Sequence, residues 1–249
     1  MLWVSFYRPK GCFAGAFNNF AAWWTKGEFC HCELVLEGTP DYVLRFVQQT
    51  YVRHMRSDEP RSRGIVQELE RGVMNKRTQR MMYGQSRAWL SFSLLFGDQL
   101  RVRALDGSST DPWTATARTV TDHVVWKSID VCEDGEAHII NWALEEVAKP
   151  YDNTGALCSW MPAVFAEKVN VPRHFCSEFV VRALQRGGHL HAVKASHTTP
   201  NRLYDVLQNY IPPYAGGEQK VGLDVEELVE RESLDDLAAM MVESESDSD

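Results

Sequence analysis

One ten-residue stretch, Glu28 to Glu37 (EFCHCELVLE), constrains the fold more than any other. From Cys30 onward it alternates with a period of two, the signature of a strand. Cys30, Cys32, Leu34 and Leu36 share one face, and His31, Glu33, Val35 and Glu37 the other. The first face is soft and apolar and must be covered, so both thiols read as core residues. The second projects His31 and Glu33 as a polar pair. A metal site needs three or four convergent ligands, whereas Cys30, His31 and Cys32 diverge to both faces, and no second Cys/His cluster of finger spacing follows. A Cys30–Cys32 redox couple would lack a helix terminus to activate either thiol. The stretch therefore calls for no cofactor.

Around it, LWVSFY reads as a first strand closed by Pro9–Gly11, and AGAFNNFAAWWTKG as a helix ending at Gly27. After the turn GTPD, the stretch YVLRFVQQTYV is expected to be another strand. From Arg53 to about Arg103 the pattern loosens and turns basic: RSDEPRSRG reads as a loop, and VMNKRTQRMMYGQSR has no clean period. TVTDHVVWKSIDV is a further strand candidate. Four helices are expected to follow. The first carries Ile139, Ile140, Ala143, Leu144 and Val147 at amphipathic spacing, and the second, GALCSWMPAVFAEKV, is bent or restarted at Pro162. CSEFVVRALQRGG is stopped by Gly187 and Gly188, and TTPNRLYDVLQNY starts with Thr199 as N-cap and Pro200 at its first position. These elements predict an α+β fold, an antiparallel sheet or small barrel packed against helices.

Two units are expected: a domain over 1–215 with a basic insertion at about 53–103, and an acidic tail over 216–249. In the tail, Val225, Leu228, Val229, Leu234, Leu237, Ala238 and Met241 suit a short docking helix before a disordered, Ser-rich acidic end. The tail is the expected contact for a protein partner. The insert's Lys76, Arg77, Arg80 and Arg87 suit an anionic membrane surface, a polyanion or the tail itself; a solvated face is the plainer reading. The net charge of −8 argues against general or specific nucleic-acid binding. No long apolar run marks a secretion leader or a membrane span, so the chain is expected to be intracellular (cytoplasmic) or virion-associated, with its cysteines as thiols.

The second chemical feature is PRHFCSEFVVRALQRGG. Cys176 opens a helix, where unpaired backbone N–H groups and the dipole favour a thiolate. Cys176, Phe179, Val180, Ala183 and Leu184 also form a stripe that packs on something, so a buried, inert cysteine is the competing reading. If the stripe packs on the sheet carrying His31, a thiolate–imidazolium pair follows.

In their order, HCELV, PYDNTGAL, HFCSEFVVRAL and TTPNRLYDVL resemble the circularly permuted NlpC-like group of papain-fold cysteine peptidases and amidases. That group includes lecithin retinol acyltransferase-like and YiiX-like proteins and proteins of large DNA viruses and phages; in it the His strand precedes the Cys helix. The resemblance covers about residues 2–50 and 119–207. It implies Cys176 as nucleophile and His31 as general base, with Glu33 of the HxE pattern orienting His31. Gln48 or Gln49, on the expected next strand, is the alternative third residue. Tyr151 and Asp152 match a recurring YD and would line the cleft, although a plain turn after Pro150 explains them equally well. Ser177 and Glu178 match CSE, with Glu178 placed to cap the helix start. His174 reads as a solvated loop residue. The implied substrate is a peptide, an amide or a lipid acyl group; a structural protein that retains the fold without activity is the reading from another class.

Overall fold

The computed structural model describes residues 1–9, 27–95, 97–105, 124–158 and 173–210. Its strands are β1 (Leu2–Tyr7), β2 (His31–Gly38), β3 (Ala88–Ser93), β4 (Arg101–Leu105) and β5 (Val124–Ile129). They form one open antiparallel sheet in the order β4-β3-β2-β1-β5. The helices are α1 (Pro40–Met55), α2 (Pro60–Leu69), α3 (Lys76–Tyr83), α4 (Glu133–Glu146), α5 (Asn153–Cys158), α6 (Cys176–Arg186) and α7 (Pro200–Asn209). The fold is thus α+β with an open sheet rather than a small barrel.

Alternation along the strands sorts the sheet into two faces. Leu2, Val4, Phe6, Cys32, Leu34, Leu36, Leu90, Phe92 and Val102 enter the main core with residues of α1, α2, α4, α6 and α7. Directly opposed pairs put Ser5 with Glu33 and Tyr7 with His31 on the other face. There Ser5, Glu33 and Ser91 are fully buried as well, so this sheet buries polar side chains behind its apolar layer. β2 is central, which is why both of its faces are covered.

The expected strand YVLRFVQQTYV lies instead within α1. Thr39 caps it, accepting from the Tyr42 N–H, and Pro40 occupies its first turn. Val43, Leu44, Phe46, Val47 and Thr50 are its buried side, a helical and not an alternating spacing. The expected loop RSDEPRSRG is half helix, because Pro60 starts α2, and the stretch without a clean period contains α3, capped by Asn75. Residues 53–103 supply β3 and the start of β4, and Ile65, Leu69, Val73, Met82, Leu90 and Phe92 from that span lie in the core. Lys76, Arg77 and Arg80 are exposed, while Arg87 reaches Glu37 at 2.6 Å.

β1, β5, α4, α6 and α7 fall where the sequence places them, with Thr199 and Pro200 starting α7 as expected. The expected helix before Gly27, the part of the next helix around Pro162, and the acidic tail lie outside the described residues. Among the described residues no helix is long and apolar enough to cross a membrane.

Candidate active site

β2 carries the histidine and α6 the cysteine. α6 packs its stripe of Phe179, Val180, Ala183 and Leu184 into the core, against β2 and α4. Its first residue thereby meets the first two residues of β2. The Cys176 sulfur lies close enough to the Cys32 thiol, the His31 ring and the Cys32 backbone N–H for each of them to stabilise its negative charge. His31 and Cys32 point to opposite faces, yet at the strand's end one sulfur reaches both.

The electrostatics of the pair favour separated charge. The Cys32 thiol contributes most to holding the Cys176 pKa well below its ordinary value; burial opposes this, and the His31 hydrogen bond and charge reinforce it. Cys176 also opens α6, where no side chain caps the helix, so the dipole adds in the same direction. Burial alone would discharge His31, but its hydrogen bonds to Cys176 and Glu33, and their charges, raise its pKa to about 9. Both shifts favour a thiolate beside an imidazolium over the neutral pair.

Glu33 orients that imidazolium. His31 Nε2 lies 3.2 Å from Glu33 Oε1. The Arg103 guanidinium donates to both Glu33 oxygens, at 2.8 and 3.0 Å, and Ser91 and Tyr7 donate their hydroxyls to Oε2 at 2.6 and 3.1 Å. Burial would raise the Glu33 pKa, but Arg103, followed by His31 and Ser91, drives it far below the usual carboxylate range. A buried carboxylate satisfied on both oxygens holds its partner ring in one orientation. Tyr7 packs against His31 with ring centroids 5.5 Å apart. Gln48 and Gln49 are exposed on α1, away from this cluster.

Tyr151 joins the site by backbone pairing. It forms a parallel bridge with His174, and the Asp152 N–H donates to the His174 carbonyl at 2.8 Å, two residues before Cys176. Its hydroxyl is hydrogen-bonded with Cys176, and burial, then the nearby Cys176 and Cys32 sulfurs, push the Tyr151 pKa up. Tyr151 is thus a neutral O–H donor at the sulfur. Asp152 Oδ1 accepts from the Gly155 N–H at 2.8 Å at the start of α5. Ser177 anchors α6 by donating to the Thr198 carbonyl at 2.5 Å.

Two assignments are corrected. Glu178, in the first turn of α6, is fully buried, 3.0 Å from Arg182. His174 is no solvated loop residue: its Nε2 lies 3.0 Å from Glu146, and its ring packs on Trp142 at 5.9 Å. Cys30 stands just before β2 and outside the main core, half-buried, with its thiol donating to the Tyr7 carbonyl at 3.3 Å. Sequence reasoning also missed Arg103, Tyr7 and Ser91. The signal available for Arg103 was a cation flanked by apolar residues inside the run RVRAL.

These groups can generate a nucleophilic sulfur, protonate a leaving group from His31 and offer N–H and O–H donors to a developing oxyanion. Searches of protein-family models, curated proteins and solved structures each find no match to this chain.

Proposed function

We propose that this chain is a cysteine hydrolase of peptidase or amidase type, with a permuted papain-like, NlpC-like arrangement in which the His strand precedes the Cys helix. The observation that carries the reading is the contact of Cys176, at a helix start, with a His31 ring that Glu33 orients. The Cys176 thiolate attacks the carbonyl carbon of an amide, ester or thioester. The carbonyl π pair moves to oxygen, where the first N–H groups of α6 and the Tyr151 hydroxyl are the candidate donors. Collapse expels the amine, alcohol or thiol, which takes its proton from the His31 imidazolium. Neutral His31 then removes a proton from water, which attacks the acyl-enzyme and releases the acid. An alcohol or amine in place of water gives acyl transfer from the same intermediate.

An electrophilic thiol probe applied to the full chain tests this. Labelling is expected at Cys176 and not at Cys30, and Cys176→Ala and His31→Ala should each abolish turnover. The double variant should lose little more than either single one, because the pair acts as a unit. Activity should fall as pH rises past about 9, where His31 loses its proton. Undiminished activity in Cys176→Ala refutes the proposal. An unlabelled Cys176 in the folded chain favours a structural protein of this fold.

A further inference from the structure

Cys32 is a buried nucleophilic group that the proposed reaction leaves unused, and it touches the reacting sulfur. The register explains why its backbone is available. The Glu37 N–H donates to the Met1 carbonyl on the β1 side. Backbone donors alternate sides along a strand, so odd-numbered residues of β2 face β1 and even-numbered ones face β3. On the β3 side Leu36 pairs with Leu90 and Leu34 with Phe92. β3 ends at Ser93, so the ladder stops one pair short of Cys32. The Cys176 sulfur, at the start of the helix packed on β2, faces this N–H and the Cys32 thiol. Two donors from one residue converge on one sulfur.

We infer that Cys32 is a positioning residue whose thiol and backbone N–H together hold the Cys176 sulfur as a thiolate in a fixed orientation. The inference rests on Cys176 being the nucleophile proposed above. The two sulfurs compete for one negative charge, and geometry gives it to Cys176, which alone opens a helix and contacts His31. Cys32 sits on the apolar face beside Leu34, where a charge would be poorly solvated, and so remains the protonated donor. Burial, then the hydrogen bond to Cys176, pushes its thiol up accordingly. An S–H is a weak donor in water, but towards an anion in a dry site the bond strengthens. The other titratable groups facing the sulfurs are His31, Glu33 and Cys30 from the β2 segment, and Tyr151 from the segment before α5. Valine at position 32 would fill the same space without a donor, whereas serine would restore one.

Iodoacetamide alkylation of Cys176 in the full chain, followed by peptide mass spectrometry across pH, reads the thiolate fraction directly. Wild type is compared with Cys32→Ala, Cys32→Val, Cys32→Ser and His31→Ala, with circular dichroism to verify folding. Cys32→Ala and Cys32→Val should shift the alkylation profile of Cys176 upward in pH and slow the reaction about tenfold on its acid limb, the equivalent of one pKa unit. Cys32→Ser should recover most of the rate. Superimposable profiles for wild type and folded Cys32→Val overturn the inference while leaving the His31–Cys176 pair intact. Failure of serine to recover what valine loses also overturns it, since packing alone would then explain the effect. A His31→Ala profile identical to wild type removes the pair itself, and the inference with it.

Discussion

Replacing Arg103 by methionine deletes the guanidinium facing Glu33 while keeping much of the side chain's volume. Glu33 is fully buried and Arg103 donates to both of its oxygens, so the variant strands a carboxylate away from water. Removing one partner of a buried ion pair costs about 3–5 kcal/mol. Here Tyr7, Ser91 and His31 remain on the carboxylate, which puts the expected loss at the lower end, about 3 kcal/mol at neutral pH. The assay is urea unfolding, in which the midpoint should fall at constant slope. Its pH dependence has a definite sign. Glu33 is depressed from its ordinary 4.5, so its ion pair contributes fully above that value and the contribution fades as pH falls towards the folded-state value. The cost of Arg103→Met should therefore be largest near neutral pH and shrink progressively as pH falls below 4.5 towards the folded-state value, where wild type finally loses the pair too. Adding Glu33→Gln should yield a double variant less destabilised than the two singles summed. A loss under about 1 kcal/mol at neutral pH, the value of a surface pair, would refute the buried-pair reasoning. A cost independent of acid would refute it equally.

Two further substitutions test how the site is framed. In Gly72→Ala the new Cβ would stand 1.8 Å from the Val102 carbonyl oxygen, next to Arg103, so the π-helical turn Glu70–Met74 must back away from β4. A loss of roughly 2–3 kcal/mol is expected by thermal or urea unfolding, and an unchanged midpoint contradicts the close approach. Asn201 of α7 accepts from the Phe29 N–H at 2.8 Å and donates to the Phe29 carbonyl at 3.0 Å, tying down the segment that leads into His31. Asn201→Ala should lose about 2 kcal/mol, about 1 per bond, and slow Cys176 labelling; wild-type labelling would separate that anchor from the site.

Where the sequence was legible, local periodicity agreed with burial. α6 carries a clean apolar stripe and a glycine stop at Gly187, α7 has its own start at Thr199–Pro200, and in β2 the thiol and leucines alternate with His31 and Glu33. The misreading of α1 was avoidable: Thr39–Pro40 is the same start signal as Thr199–Pro200, and the apolar spacing that follows is helical. Tyr, Val, Phe and Thr are also strand formers, so composition after the turn GTPD favours a strand where spacing and cap dictate a helix. β3 and β4 were lost for another reason. Polar residues such as Ser91, Ser93 and Arg103 interrupt their apolar pattern, because one face of this sheet carries a buried polar layer.

The sequence by itself determined that His31 and Glu33 share a strand face and that Cys176 opens an apolar helix, since both follow from the periods of strand and helix. Tertiary structure alone decided that Cys176 meets His31 and Cys32, that Tyr151 reaches the sulfur, and that Ser91 and Arg103, 58 and 70 positions along the chain, close on Glu33. A period reveals which side of an element is covered but not which distant residue covers it. That choice rests on strand order and register, and these are set by packing the whole core at once.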